Sequence, residues 1–298
     1  MSSIEKTLSD LGLTPSKAFD GVIDGVCIDS RKVKVGCLFA ALPGTKVHGA
    51  RFLAQALEKG ASAVLTDQEG MYIARELGLK DKLAFVIVQD PHAALAAAAS
   101  LWFEEQPATM VAVTGTNGKT SVSSFCRQIW TELGNDAVNL GTTGVEGAFF
   151  APLAHTTPDP ITLHKILRTC ARGGVTHGAM EASSHGLAQR RLDGVRLAAA
   201  GFTNFTQDHL DFHASFEAYL DAKAGLFDRV LPPTGVAVLN IDDPKIAKLS
   251  VRISYGGQKI ITVGRSPDAD LQLLGQKYDP AGQTIRFSYR GKTYQSFL

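Results

Sequence analysis

The stretch Val111-Ala-Val-Thr-Gly-Thr-Asn-Gly-Lys-Thr-Ser121 decides the fold of this chain. It predicts a buried strand that ends at Val113, a glycine-rich turn, and a helix from about Lys119 to Leu133. In such a turn the backbone N–H groups converge on phosphate oxygens, and the helix N-terminus adds a positive dipole. Lys119 supplies a charge and Thr120 a hydroxyl for Mg²⁺. The predicted phosphate-binding residues are Gly115, Thr116, Asn117, Gly118, Lys119, Thr120 and Ser121.

This phosphate loop is a shorter variant of the strict G-x-x-x-x-G-K-[ST] pattern, because Val113 stands at the first glycine position and the turn begins at Gly115. The alternative interpretation is an ordinary glycine-rich turn with a solvated lysine, but the flanking strand and helix favour the phosphate loop. Kinases, GTPases and ligases all use such loops, so the loop alone does not identify the reaction.

Strands and helices alternate on both sides of the loop, which predicts an α/β protein of two domains. Residues 1–107 form a small N-terminal α/β domain with strands at Ala63–Leu65 and Ala84–Val88 and a break at Pro107. Residues 108–298 form a doubly wound, mostly parallel P-loop ATPase sheet, with functional groups at the strand C-termini. Its later elements are predicted at Thr162–Arg172, His177–Met180, Ala198–Phe202, Phe216–Phe227 and Val236–Leu239.

The tail of the chain has a different pattern. Lys259–Val263, Leu271–Gly275 and the two runs flanking Arg290-Gly291 are predicted to be a small set of antiparallel strands. The chain ends on Gln295-Ser-Phe-Leu298, a strand-like segment without a polar tail. We therefore expect either a terminal strand or an incomplete sequence.

Composition excludes several classes of protein. Thirty Lys and Arg against 29 Asp and Glu give a net charge of +1, which predicts neither nucleic acid nor a membrane as a partner. The four cysteines are widely spaced, which argues against a disulfide framework or a structural zinc site. The longest apolar run, Ala93 to Phe103, is about half of the roughly 20 residues that cross a bilayer. We expect a cytoplasmic monomer that acts on small molecules.

A second motif, Met180-Glu-Ala-Ser-Ser-His-Gly186, follows a predicted strand. Glu181 should then emerge at the same sheet edge as the phosphate loop, where its carboxylate and the Thr120 hydroxyl suit Mg²⁺, which prefers hard oxygen ligands. The alternative is a solvated glutamate and a serine that caps a helix.

The segment Phe202 to His213 also follows a strand and contains two Asp and two His within six positions. That density favours metal coordination by His209, against the usual structural role of a single histidine. His209 and His213 stand four residues apart, a spacing that a zinc pair on a helix would use, but no third ligand is evident nearby.

Lys223 falls on the apolar stripe of the predicted helix Phe216–Phe227. Desolvation lowers the pKa of a buried lysine, and a neutral amine can add CO₂ to give a carbamate, an anion able to bind a second Mg²⁺. A lysine that extends its ammonium to solvent is the alternative.

Asn240 ends another predicted strand, in the motif Asn240-Ile-Asp-Asp-Pro244. Its amide can read a purine edge. The alternative is a turn and a helix cap before Pro244.

Together these motifs resemble the Mur ligases, from Gly21 to about Pro244 and in the same order. The remaining motifs that carry the resemblance are Asp29-Ser-Arg31, Gly36-Cys-Leu-Phe39, Thr156-Thr-Pro158 and Ala222-Lys-Ala-Gly-Leu-Phe227. The resemblance implies a three-domain enzyme that binds the UDP end of its substrate, ATP and an incoming amino acid in turn. It also implies that the C-terminal, amino-acid-binding domain is absent here and that the chain is truncated.

Site residues follow from the resemblance position by position. It implies that Lys119 contacts the ATP phosphates and that Asn240 lies by the adenine. One Mg²⁺ is held by Thr120 and Glu181, and another by Glu181, His209 and carbamylated Lys223. Ser30 contacts the uridine diphosphate. The muramoyl-peptide contacts are Thr156, Thr157, Ser183, Gln189 and Arg191.

The implied reaction adds meso-diaminopimelate or L-lysine to UDP-N-acetylmuramoyl-L-alanyl-D-glutamate through an acyl phosphate, with ATP and Mg²⁺, in peptidoglycan synthesis. Thr45-Lys-Val47 and His48-Gly depart from the family's pattern in the loop that contacts uracil. A sibling Mur or cyanophycin-type ligase is one alternative. A nucleotide- or UDP-sugar-binding fragment without turnover is another.

Overall fold

A computed structural model describes residues 5–206 and 212–298. The chain divides into two compact units. The first unit is Met1–Glu105, Asp159–Arg168 and Gln189–Gly194, and the second is Gln106–Pro158, Thr169–Ala188 and Val195–Leu298. Among the described residues, none of the helices combines the length and the apolar character that crossing a membrane requires.

The first unit is built on a parallel sheet. Its strands and helices are β1 (Gly25–Cys27), β2 (Cys37–Ala40), α1 (Leu53–Glu58), β3 (Ala63–Thr66), α2 (Gln68–Glu76), β4 (Ala84–Ile87) and α3 (Pro91–Phe103). The sheet order is β1-β2-β3-β4, and every neighbouring pair is parallel. Alternate residues face two apolar clusters, with Leu38 in one and Phe39 in the other, so these strands have apolar residues throughout.

The second unit contains one large sheet. Its first elements are β5 (Thr109–Thr114), α4 (Lys119–Glu132), β6 (Ala137–Gly141), β7 (Gly144–Gly147), α5 (Pro160–Arg172, counted in the first unit as far as Arg168), β8 (His177–Glu181) and α6 (Ser184–Ala188). The later elements are β9 (Leu197–Phe202), α7 (Phe216–Gly225), β10 (Val236–Asn240), α8 (Pro244–Ser254), β11 (Lys259–Gly264), β12 (Leu271–Asp279), β13 (Gly282–Tyr289) and β14 (Lys292–Phe297).

The strand order of this sheet positions the site. Within residues 5–206 and 212–298, ten strands pair in the order β14-β13-β12-β11-β10-β9-β5-β8-β6-β7. β5 pairs in parallel with both β8 and β9, so the loops after these three strands meet at one edge. The chain leaves β5 towards β6 on one side and returns to β9 on the other. Such a reversal of strand order creates the crevice in which doubly wound sheets bind ligands.

The predicted fold class, α/β with a mostly parallel sheet, is confirmed. The prediction that Lys259–Val263 is antiparallel is wrong, because β11 pairs in parallel with β10. The reason is α8, which returns the chain so that β11 runs in the direction of β10; a helix here was only the alternative interpretation of the Asn240–Pro244 motif. β12, β13 and β14 are antiparallel, and they continue the large sheet at its edge.

Candidate functional site

The phosphate loop lies between β5 and α4, at the centre of the large sheet. Gly115 has φ +144° and Gly118 has φ +84°, a backbone region that favours glycine. A Cβ atom added at Gly115 would lie 2.0 Å from Thr203 Oγ1. The first N–H groups of α4 have no acceptor within the helix, so the loop and the helix start together offer donors to an anion.

A segment after β9 holds the loop in place. Thr203 Oγ1 donates to Asn117 O at 2.6 Å. Asn204 Oδ1 accepts from Asn117 N at 2.9 Å, and Asn204 Nδ2 donates to Asn117 O at 3.1 Å. Thr116 N donates to the carbonyl of Asn204 at 2.9 Å. Thr203 and Asn204, which directly follow β9, were given no role from the sequence alone.

Lys119 begins α4 and bends back over the loop. Its Nζ donates to Gly115 O at 3.0 Å and to Thr116 O at 2.8 Å. The ammonium is therefore held beside the loop backbone, where a phosphate oxygen can take over as its hydrogen-bond acceptor.

Glu181 ends β8 and is buried, at 1% exposure, with its carboxylate directed at the start of α4. Its Oε1 accepts from Thr120 Oγ1 at 2.9 Å and from Thr142 N at 2.8 Å, and its Oε2 accepts from Thr142 Oγ1 at 3.4 Å. A Cβ atom added at Gly141 would lie 1.9 Å from Glu181 Oε1, so the Glu181 carboxylate occupies the space that the side chain of any larger residue at position 141 would need. The sequence analysis identified Glu181 and Thr120 but missed Thr142.

Several threonines and serines near Glu181 form hydrogen bonds with other groups of the protein. Thr142 Oγ1 and Thr156 Oγ1 are 3.0 Å apart. Thr157 is buried, where it donates to Glu181 O at 2.9 Å and accepts from Ser183 N at 3.0 Å. Ser183 Oγ accepts from Gly186 N at 3.1 Å, as in a helix cap. Thr157 and Ser183 therefore already have structural partners.

Lys223 lies on the buried face of α7, as its position in the apolar stripe predicted. It is 1% exposed, donates from Nζ to Gly115 O at 2.8 Å, and lies 4.6 Å from the centre of the Tyr219 ring. Lys223 and Lys119 thus donate to the same carbonyl oxygen, that of Gly115.

These groups surround one cavity of about 310 Å³ within the second unit. Thr116 to Thr120 form one wall, Thr142, Thr156 and Glu181 face it, and Ser183, Ser184 and Lys223 complete the lining. The structure thus brings together residues predicted from four separate motifs. Gly115 and Ser121 lie in the same loop and helix but are not among the residues of the cavity wall.

The structure describes the surroundings of Asn240 but not those of His209. Asn240 Nδ2 donates to Thr203 O at 2.8 Å and its Oδ1 accepts from Asp242 N at 3.1 Å, while Asp243 caps α8. These bonds match the turn-and-cap alternative, and the adenine contact stays a prediction. His209 lies outside the described residues. Within the described ranges, no group of three or more His, Cys, Asp or Glu is arranged to hold a metal ion.

Ser30 lies in the first unit, on a short turn capped by Asp29. Its Oγ donates to Gln55 Oε1 at 2.6 Å, and it lines an open cavity of about 810 Å³ together with Arg31 and Arg51. A hydrogen bond from Arg31 lowers the pKa of Asp29 to about 2.

His48, the departure from the family's loop pattern, has a structural role in the first unit. Its Nδ1 accepts from Ala50 N at 3.0 Å, and its Nε2 lies 3.1 Å from Asp67 Oδ1.

Gln189 and Arg191 also belong to the first unit. Arg191 Nη2 donates to Gln189 Oε1 at 2.7 Å, and burial lowers the pKa of Arg191. The two predicted muramoyl contacts are therefore paired with each other.

The sheet, the loop and the facing carboxylate define an α/β protein of the phosphate-loop class. Residues 113–298 match the Mur ligase middle domain, and residues 22–103 match the catalytic domain of the Mur ligase family. The chain belongs to the Mur ligase family.

Relatives with high similarity carry one name, UDP-N-acetylmuramoyl-L-alanyl-D-glutamate–2,6-diaminopimelate ligase. The Caulobacter vibrioides protein is 48% identical over 287 residues, covering 94% of this chain and 57% of that protein. The Mesorhizobium japonicum protein is 47% identical over 278 residues, covering 92% and 55%. A solved structure of a ligase with this name matches with a TM-score of 0.80 and 30% identity, covering 94% of this chain and 57% of that chain. The chain therefore spans a little over half the length of these relatives.

Proposed function

We propose that this chain is the nucleotide- and UDP-substrate-binding part of an ATP-dependent ligase of peptidoglycan synthesis. The ligase joins an amino acid to UDP-N-acetylmuramoyl-L-alanyl-D-glutamate in the cytoplasm. The observation that carries the proposal is the pairing of Thr120 and Glu181 beside the phosphate loop, in a chain of the Mur ligase family. Because the relatives are named as diaminopimelate ligases, we propose diaminopimelate rather than lysine as the amino acid.

The Thr120–Glu181 pair fits one Mg²⁺. Two oxygens on adjacent vertices of an octahedron with bonds of 2.0–2.1 Å are about 2.9 Å apart. Thr120 Oγ1 and Glu181 Oε1 are 2.9 Å apart, and both are hard oxygen donors. When bound, Mg²⁺ neutralises the charge that gathers on the transferred phosphoryl group. The proposed second ion relies on His209 and a carbamylated Lys223, a set supported by the family resemblance.

ATP would bind with its phosphates on the loop from Gly115 to Ser121. Lys119 exchanges its bonds to Gly115 O and Thr116 O for bonds to phosphate oxygens. The N–H groups at the start of α4 supply further donors, and Asn240 contacts the adenine.

Phosphoryl transfer would proceed to the D-glutamyl carboxylate. A carboxylate oxygen forms a bond to the γ-phosphorus as the bond to ADP breaks, which gives an acyl phosphate. The amine then attacks the acyl carbon and inorganic phosphate leaves. Lys119 lies beside the loop, where its ammonium would stabilise the negative charge of both steps.

Ser30 contacts the uridine diphosphate. The muramoyl-peptide contacts are Thr156, Thr157, Ser183, Gln189 and Arg191.

Phosphate release tests the proposal. The chain is incubated with ATP, Mg²⁺, UDP-N-acetylmuramoyl-L-alanyl-D-glutamate and either diaminopimelate or lysine, with Lys119→Ala as the matched inactive control. Release that requires all three substrates and prefers diaminopimelate supports the ligase. The chain's coverage of 57% of its Caulobacter relative favours a second candidate, a binding module without turnover. That module would bind ADP and UDP but release no phosphate.

Carbamylation of Lys223 has its own test. The carbamate nitrogen keeps one N–H, which can still donate to Gly115 O, so the observed contact is compatible with the modified side chain. Lys223→Ala in a full-length ligase should lose activity, and added acetate should restore part of it by replacing the anion. Unchanged activity in this variant would contradict the carbamylation of Lys223.

A further inference from the structure

Ser184 is the one serine of the Ser183-Ser184 pair whose hydroxyl is not used by the fold. It begins α6, is 1% exposed, and lines the cavity beside the phosphate loop. Its Oγ is among the buried side-chain atoms without a hydrogen-bond partner in the described part of the chain. A buried hydroxyl without a partner costs about 1–3 kcal/mol, so its presence indicates a partner that binds later.

The polar groups next to Ser184 in the sequence and in the cavity already have other hydrogen-bond partners. Ser183 Oγ already accepts from Gly186 N, as a helix cap would. The Glu181 carboxylate already accepts three bonds from Thr120 and Thr142. The unused donor therefore remains available to a ligand in the cavity.

The charge of the cavity indicates the chemistry of that ligand. Lys119 directs its ammonium group at the loop, and the start of α4 adds its N–H groups. An anion is favoured there, and a serine hydroxyl donates strongly to an anionic oxygen. Rotation of χ1 between staggered positions lets this hydroxyl turn towards a bound oxygen.

We propose that Ser184 Oγ donates a hydrogen bond to the terminal phosphoryl group of the bound nucleotide. The proposal rests on the proposed ATP binding and adds a contact on the transferred group. Ser184 is thereby a nucleotide-contacting residue that distinguishes a triphosphate from a diphosphate.

Nucleotide titrations of Ser184→Ala test this contact. The probes are Mg²⁺ with a non-hydrolysable ATP analogue and Mg²⁺ with ADP. A hydrogen bond to a charged group predicts about a ten- to hundredfold weaker affinity for the ATP analogue and an unchanged affinity for ADP. The Tm of the unliganded variant should be unchanged or higher, because the removed hydroxyl had no partner. Ser250→Ala is the control, since Ser250 Oγ donates to Ala247 O within α8.

Two outcomes overturn the proposal while the proposed function stands: an unchanged affinity for the ATP analogue, or an equal loss of affinity for both nucleotides. If the wild-type chain binds neither nucleotide, the ATP-binding part of the proposed function fails as well. The ADP titration of the wild type therefore separates the two failures.

Discussion

Two charged side chains of the site, Glu181 and Lys223, are buried and hydrogen-bonded to neighbouring groups of the protein. Glu181 and Lys223 are each 1% exposed, a state in which a charged group is costly unless hydrogen bonds compensate for lost water. Glu181 has three donors, and Lys223 has a carbonyl oxygen and an aromatic ring. These bonds hold the side chains in position, so a ligand meets a preorganised surface.

Replacing Glu181 with glutamine should separate its charge from its shape. One oxygen is lost as an acceptor, which leaves Thr120 or Thr142 without its bond and lowers the free energy of unfolding by about 1–3 kcal/mol. In the wild type, Mg²⁺ should increase the affinity for a non-hydrolysable ATP analogue. In Glu181→Gln this increase in affinity should fall by about tenfold or more, because a neutral amide is a poor Mg²⁺ ligand. Calorimetric titration of the ATP analogue with and without Mg²⁺ measures this increase in affinity. Glu132→Gln, at an exposed position at the end of α4, is the control. A full Mg²⁺ gain in Glu181→Gln would contradict the metal assignment.

Cys27 and Cys37 form a coupled pair in the first unit, with 3.9 Å between their sulfur atoms. A hydrogen bond from Cys27 lowers the pKa of Cys37 below its ordinary 9.0, and the same interaction raises the pKa of Cys27. Stability from the Cys37 thiolate is therefore present above pH 9.0 and is lost as pH falls through its folded pKa. Stability from the Cys27 thiol is present below pH 9.0 and is lost as pH rises.

Substituting Cys27 by alanine should move the Cys37 titration to higher pH, because the donor to its thiolate is removed. Ultraviolet thiolate absorbance across a pH series measures the shift. Cys37→Ala should remove the low-pH step of the thiolate absorbance altogether, which would assign that step to Cys37. Identical titration of the wild type and Cys27→Ala would show that the pair does not interact.

At the scale of elements, the phosphate loop depends on the segment that follows β9. The loop could be predicted because its glycines, lysine and threonine are consecutive in sequence. Thr142 and Asn204 could not, because their contacts require β6, β8, β5 and β9 to be neighbours in a sheet set by long-range pairing. Strand β6 itself was missed for a local reason. Buried Asn139 interrupts its apolar pattern and is compensated by Arg127 and Glu146.

Removing the Asn204 side chain should loosen the phosphate loop. Its two bonds to Asn117 are lost, but Asn117 is exposed and water replaces them, so the free energy of unfolding falls by only about 1 kcal/mol. Nucleotide binding must then order the loop, which we expect to weaken ADP affinity about three- to tenfold. Hydrogen exchange of the loop amides should rise in parallel. Asn135→Ala, which loses a bond to Trp130 O at the far end of α4, should change neither measurement. Equal ADP affinity in Asn204→Ala and wild type would contradict a supporting role.

At the scale of the molecule, the two candidate cavities lie in different compact units, one with Ser30 and Arg31 and the other with the phosphate loop. Each cavity is lined by side chains of its own unit. UDP carries the same diphosphate group as ADP, but only the second unit has a phosphate loop. Under the proposed function, UDP and ADP would therefore occupy separate sites, one in each unit.

UDP and ADP should accordingly bind together rather than compete. Each ligand stabilises the folded chain by RT ln(1 + [L]/Kd), so at fixed ligand concentrations the stabilisation from two independent sites should add when both ligands are present. Ser30→Ala should weaken UDP binding by about tenfold, the scale of one hydrogen bond of about 1.4 kcal/mol, and leave ADP binding unchanged. Lys119→Ala should show the reverse pattern. Calorimetric titration of each nucleotide in the presence of the other measures both effects. Displacement of ADP by UDP would place them in one site and contradict the division of binding between the units.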